Sequence, residues 1–192
     1  RERFNGKFII DGVEKNESLF DLIKLTSKKN KNFIISAYSD NVAFINGPII
    51  KQFQPRRGDE ASYFITKQIE SIISLKAETH NFPTTVEPYN GAATGSGGEI
   101  RDRAAGGTGS LPLIGSAVYM TPYPRLNGKK IWEKNIKERN WKYQTPADIL
   151  IKASNGASDF GNCFGQPLIV GSLFTFEHKE GDETVSYTHL TL

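Results

Sequence analysis

The sequence of 192 residues contains a single cysteine, Cys163, so it can build neither an intrachain disulfide framework nor a multi-cysteine zinc site. Long apolar runs are missing too. The longest, Val42 to Ile50 and Leu111 to Met120, are interrupted by Asn, Gly, Pro or Ser, and neither nears the ~20 residues that cross a bilayer. Charge of one sign is not in excess. The 24 basic and 21 acidic residues leave a net +3, too even for a nucleic-acid surface. No charged-then-apolar leader opens the chain, which starts at Arg1, and Asn16-Glu17-Ser18 therefore lacks the secretory context of a glycosylation site. These absences imply a cytoplasmic chain with a reduced thiol and no membrane or nucleic-acid partner, and the missing methionine predicts a piece of a larger protein.

What is present is ordinary for a globular protein, with 38% hydrophobic and 23% charged residues, except for glycine. Seven of the 18 glycines fall between Gly91 and Gly109, where even spacing would put about two. Function is to be sought there.

Periodicity and punctuation predict the elements. Lys7 to Gly12 reads as a short strand ending in a turn, and Ser18 as the N-cap of a helix carrying Leu19, Phe20, Leu22, Ile23 and Leu25. Phe33 to Ala37 and Val42 to Ile45 read as strands, the second closed by Asn46-Gly47-Pro48. Asp59 to Ser71 has helical spacing, with Ala61, Phe64, Ile65 and Ile69, and Ile72 to Thr79 alternates as a strand stopped by Pro83. After the glycine-rich stretch, Ile114 to Thr121 is a strand, followed by a connection in which Trp132 and Trp141 cover a core edge. Thr145 caps a helix with Pro146 at its first position, ended near Ala153 by Asn155-Gly156, and Leu168 to Phe176 is the last strand. Irregular alternation of this kind implies an α/β or α+β fold with a mixed sheet and flanking helices.

Two motifs carry chemistry. In a strand, residues two apart lie on one face about 6.6 Å from each other, so Lys76, Glu78 and His80 would project together. Three ionisable groups in a row suit a core poorly, because each would need a partner there. The plainer reading is an exposed strand face with a surface Lys/Glu pair. About ten residues later comes Gly91-Ala92-Ala93-Thr94-Gly95-Ser96-Gly97-Gly98-Glu99-Ile100-Arg101-Asp102. Small residues let a backbone approach an anion, Thr94 or Ser96 could cap a following helix, and a helix N-terminus offers N–H groups to phosphate. Arg101 could add a forked contact to phosphate, while Glu78 and Asp102 are hard oxygen donors suited to Mg²⁺. The plainer alternatives are a flexible surface turn, or a helix with a Glu99–Arg103 pair at i,i+4. No Walker A pattern and no dinucleotide fingerprint is present, so the parts suggest phosphoryl transfer outside the standard NTPase and Rossmann loops.

Lys76 to Pro83 (KAETHNFP), Glu87-Pro88 and Gly91 to Asp102 (GAATGSGGEIRD) resemble the phosphoribosylformylglycinamidine synthase family, in its large single-chain form. The similarity extends to Phe8 to Gly12, Ser36-Ala37-Tyr38 with Asp40-Asn41, Ala153 to Phe160 and Phe164 to Gly171, and so runs through residues 1–178. Residues 179–192 do not continue the pattern and are expected to form a poorly ordered tail. The resemblance implies part of the synthetase domain of a glutamine-dependent ligase of de novo purine synthesis. That enzyme converts formylglycinamide ribonucleotide to the amidine with ATP, Mg²⁺ and channelled ammonia. The implied fold is the N-terminal domain of the aminoimidazole ribonucleotide synthetase type, and the implied partners are the rest of the synthetase and a glutaminase domain.

Carried onto this sequence, the resemblance makes Lys76 a phosphate contact, Glu78 and Asp102 metal ligands, and His80 the acid/base or orienting group. Thr79, His80, Asn81 and Arg101 would meet substrate, and Gly91 to Asp102 would form the nucleotide loop. There are departures. Phe82 stands where many relatives have a second histidine and cannot transfer a proton, and the histidine-rich segment expected before Phe4-Asn5-Gly6 is missing. Cys163, beside Gly161-Asn162 with no histidine near it in sequence, does not replace the glutaminase nucleophile, and His189 has no catalytic role. By this reading the chain alone turns over weakly or not at all and leaves strand edges open. The alternative from another class is a non-catalytic module that holds a nucleotide as a structural part of a larger assembly.

Overall fold

The computed structural model of the chain describes residues 6–30, 32–107, 109–126, 131, 140–181, 183–186 and 189–191. Strands and helices are interspersed and the sheets contain both parallel and antiparallel pairs, an α/β architecture as the sequence implies. The chain divides into two compact units, Arg1–Ser74 and Leu75–Leu192.

In the first unit β1 (Phe8–Ile10) and β2 (Val13–Lys15) form an antiparallel hairpin in the register Phe8↔Lys15 and Ile10↔Val13. Its turn is Asp11-Gly12 with φ of 52° and 76°, the paired left-handed conformation that matches strand twist in two-residue turns. Helix α1 (Leu19–Lys29) begins at Ser18 as expected. Ser18 Oγ accepts from the Asp21 N–H at 3.1 Å while Asp21 accepts from the Ser18 N–H at 3.2 Å, a capping box.

A three-stranded sheet follows in the order β3 (Ile34–Ser36), β4 (Ala43–Pro55) and β5 (Phe64–Leu75). Two expectations are corrected here. Asn46-Gly47-Pro48 does not close β4, which continues through it, with Gly47 set directly against Ser71 of β5. A Cβ there would stand 2.3 Å from Ser71 Oγ, which donates to the Pro48 carbonyl at 2.6 Å. Residues 59–71 are not helical. Ile65, Ile69, Ser71 and Ile73 are half-buried at even spacing, so pairing with β4 imposes the period of two over a spacing that also suits a helix.

In the second unit β6 (Gly115–Thr121) is central, with β7 (Leu168–Thr175) parallel on one side and β10 (His189–Thr191) antiparallel on the other. Helix α4 (Pro146–Cys163) lies between β6 and β7 in the chain, as a parallel connection requires. Helices α2 (Asn81–Val86) and α3 (Pro88–Ala104) precede the sheet. β8 (Glu177–Glu180) and β9 (Glu183–Ser186) form a hairpin about Gly181, at φ 61°. Among the described residues no helix is long and apolar enough to cross a membrane. Trp132 lies outside the described residues. Trp141 is half-buried with the Arg125 guanidinium 5.2 Å from its ring centre.

Two further corrections concern glycine. Asn155-Gly156 does not end α4, which runs on to Cys163, and the stretch from Gly91 to Asp102 is the body of α3 instead of a loop. Both helices give up propensity, about 1 kcal/mol per glycine relative to alanine, for close approach. A Cβ on Gly156 would lie 2.0 Å from the Tyr89 carbonyl oxygen, and one on Gly91 2.5 Å from the Thr84 nitrogen. The buried apolar cluster of this unit is correspondingly small-chained: Ala92 on α3 meets Ala153 and Ala157 on α4, with Tyr119 and Leu168 against them. Thr145 Oγ1 accepts from the Asp148 N–H at 3.1 Å, the cap expected from sequence. Thr145→Ala should lower stability by about 1 kcal/mol in a urea melt followed by circular dichroism, and Thr145→Ser should restore most of it.

Candidate functional site

Regular strand ends at Leu75, short of the strand expected to run to Thr79, and Lys76 to Glu78 lead without regular structure to a single bridge at Thr79. The charged ends of Lys76 and Glu78 nevertheless meet at 3.3 Å. The chain then turns into α2, with His80 as its N-cap residue at φ −133°. From the last turn of α3, Asp102 reaches the same ammonium group at 2.7 Å. Lys76 is thus ion-paired to two carboxylates that come from different elements.

Burial within this cluster is uneven. The Lys76 side chain is 8% exposed, whereas Glu78 and Asp102 are 28% and 34% exposed. The ammonium sits inside and the carboxylates open outward. The hydrogen bond to Asp102 raises the Lys76 pKa above its ordinary 10.5, with Glu78 adding to the effect against burial. Because the folded chain holds this proton more tightly, the contact stabilises it below the unfolded value and is lost as pH rises through the folded-state value.

The rest of α3 places the expected nucleotide residues in two groups. Gly91, Ala92, Gly95, Ser96, Gly97, Glu99 and Ile100 are buried in packing. Ala93 and Gly98 are half-buried, and Thr94 and Arg101 are exposed. Thr94 and Ser96 do not cap a helix, because α3 starts earlier, at Pro88 after Glu87. Instead Thr94 Oγ1 donates to the Asn90 carbonyl at 2.8 Å, and Ser96 Oγ to the Ala157 carbonyl at 3.3 Å across the helix contact. Gly98 faces Glu78, its Cβ position 3.6 Å from the Glu78 carboxyl carbon, and Arg101 lies back along Gly97. The end of α3 near the cluster is its C-terminus, whose dipole attracts cations and not phosphate.

His80 is half-buried, and among the described residues no hydrogen bond or ion pair joins it to the Lys76 cluster. Its carbonyl accepts from Thr84 Oγ1 at 2.5 Å, which fixes the first turn of α2. Thr79 is exposed and Asn81 half-buried beside it. Phe82 is 65% exposed and Cys163 is an exposed free thiol.

A second polar cluster accounts for Glu99. Arg103 pairs with Glu99 at 2.6 Å, both side chains nearly buried, as the i,i+4 alternative from sequence had it. Gln166, only 1% exposed, bridges them by accepting from Arg103 and donating to Glu99. Its part in this was not legible beforehand, since 63 residues separate it from Arg103.

The described residues hold no group of three or more His, Cys, Asp or Glu placed for a metal. Two carboxylates that already share one cation do fit Mg²⁺, which typically takes one or two such ligands and completes its shell with water and substrate phosphate.

No protein-family model matches the chain. It is 43% identical over 171 residues to a phosphoribosylformylglycinamidine synthase of Dictyostelium discoideum, covering 88% of this chain and 12% of that protein. It is 42% identical over 190 residues to the phosphoribosylformylglycinamidine synthase of Schizosaccharomyces pombe, covering 95% of this chain and 14% of that protein. The resemblance read from the motifs therefore extends over nearly the whole chain, which spans about an eighth of the length of these relatives.

Proposed function

We propose, with that likeness as the premise, that the chain carries part of the ATP and substrate site of a phosphoribosylformylglycinamidine synthase. This ligase would convert formylglycinamide ribonucleotide, glutamine, ATP and water to formylglycinamidine ribonucleotide, glutamate, ADP and phosphate. The observation that carries the reading is the convergence of Glu78 and Asp102 on one cation position, 3.3 Å and 2.7 Å respectively from the same ammonium. Mg²⁺, when bound, would offset charge on the phosphoryl group being transferred.

Glu78 and Asp102 would hold that metal. Arg101, exposed one residue before Asp102, would meet a phosphate oxygen with its forked donors. Thr79, His80 and Asn81, at the entry to α2, would contact the ribonucleotide, with His80 orienting or protonating its formamide group. The chemistry has a simple logic. An amide oxygen leaves poorly until it is phosphorylated, after which ammonia can add and phosphate depart. The remainder of the synthetase and a glutaminase domain that releases the ammonia would complete the enzyme. The buried glycines of α3 let it pack closely: a Cβ on Gly91 would meet the Thr84 backbone, and one on Gly97 the Phe160 ring.

Titration with a fluorescent ATP analogue and Mg²⁺ tests this. Glu78→Gln with Asp102→Asn should weaken Mg²⁺-dependent binding about tenfold or more while leaving metal-free binding nearly unchanged. Absence of saturable nucleotide binding, or binding indifferent to both changes, would sink the reading.

A further inference from the structure

We infer that Lys76 is the resident counter-cation of the Glu78–Asp102 pair, and that a divalent metal reaches these carboxylates only by displacing its ammonium group. This rests on the metal–nucleotide reading above and departs from the direct phosphate contact that the resemblance assigns to Lys76.

The geometry is that of a stand-in ion. Lys76 Nζ lies 2.7 Å from Asp102 Oδ2 and 3.3 Å from Glu78 Oε2, so a cation already occupies the point on which both acids converge. An ammonium has three donors and no acceptor, and here two are committed to carboxylates while the side chain is 8% exposed. A phosphate cannot reach it in that position. The acids, by contrast, are 28% and 34% exposed, which leaves their outer lone pairs open to an arriving metal.

Glu78 and Asp102 are 24 positions apart in the chain, and two carboxylates brought to one point repel each other unless a positive charge lies between them. Lys76 supplies that charge in the metal-free chain and so keeps the pair convergent. Mg²⁺ requires oxygen ligands at about 2.0–2.1 Å, so the ammonium and the metal cannot share this space. The flexible four-carbon stem lets the ammonium swing outward when it is displaced. Lys76 is thereby a positioning residue that sets how readily the site loads. It becomes available to a phosphate only after the metal has arrived.

Two measurements with metal alone decide this. In the wild-type chain, acetylation of Lys76 followed by mass spectrometry should be slow without divalent ions and rise about fivefold or more with saturating Mg²⁺, while the exposed Lys51 is unaffected. A rate that Mg²⁺ lowers or leaves unchanged overturns the inference. Mn²⁺ titration by electron paramagnetic resonance should show Lys76→Met binding the ion about tenfold tighter than wild type, and Lys76→Arg near the wild-type value. Equal or weaker binding by Lys76→Met overturns it as well, and should that variant fail to fold, the wild-type labelling still decides. An ATP analogue that does not bind while Mg²⁺ still unmasks Lys76 removes the nucleotide reading alone. Nucleotide binding with Lys76 indifferent to Mg²⁺ removes this inference alone.

Discussion

Replacing Arg103 with alanine should destabilise the second unit by about 3–5 kcal/mol, the usual result of removing one partner from a buried ion pair. Arg103 and Glu99 are 12% and 8% exposed and 2.6 Å apart, and Gln166, at 1% exposed, accepts from Arg103 while donating to Glu99. Truncation at position 103 leaves a carboxylate without its counter-charge and the Gln166 carbonyl oxygen without its donor, both away from water. The cost is chiefly that of these orphaned groups and not of the attraction itself. The triple change Glu99→Leu, Arg103→Met and Gln166→Leu separates the two: it should recover much of the loss, because neither a buried charge nor an unpaired buried amide then remains. Urea denaturation of the three proteins provides the comparison. A loss below about 1 kcal/mol for Arg103→Ala would mean that water reaches the pair and that it behaves like a surface bridge.

Gly156→Ala should also be costly, by about 3 kcal/mol, although alanine is the better helix former by about 1 kcal/mol. The added Cβ would stand 2.0 Å from the Tyr89 carbonyl oxygen and 2.8 Å from its carbon. These are backbone atoms, which no side-chain rotation can move aside. Relief therefore requires α3 and α4 to separate, which would open the contact of Ala92 with Ala153 and Ala157. Since α3 carries Asp102 to Lys76, the same separation should weaken Mn²⁺ binding. Gly98→Ala provides the control for stability, because its Cβ would make only ordinary contact with Glu78 at 3.6–3.8 Å. That change should be neutral or stabilising by up to about 1 kcal/mol. If Gly156→Ala melts at the wild-type temperature, the helices do not approach as closely as their glycines imply.

Much of this molecule was legible from short-range chemistry. The Ser18 and Thr145 caps, Pro146 at a helix start, the turn at Asp11-Gly12 and the strands β6 and β7 all stand where the sequence put them. Each depends on groups no more than a few residues apart, whose hydrogen bonds and allowed dihedrals are the same in any fold. The pairing of Lys76 with Glu78 also joins residues only two apart, although the regular strand expected to present them stops at Leu75.

The misreadings share a physical cause. Residues 59–71 carry apolar side chains that fit either period, and the neighbouring strand β4 decides between them. Gly47, Gly156 and the run from Gly91 look like breaks because glycine lacks a Cβ, and the same lack is what a close backbone contact requires. Asp102 meeting Lys76, and Gln166 meeting Glu99 and Arg103, leave no periodic trace at all.

By itself the sequence determined the local turns and caps, the family resemblance, and the residue types from which a site could be made. Only the tertiary structure decided that the glycine-rich stretch is a helix and that its last turn presents a carboxylate to a buried lysine. The reason is that a missing side chain has no preferred role until the surface packed against it is known.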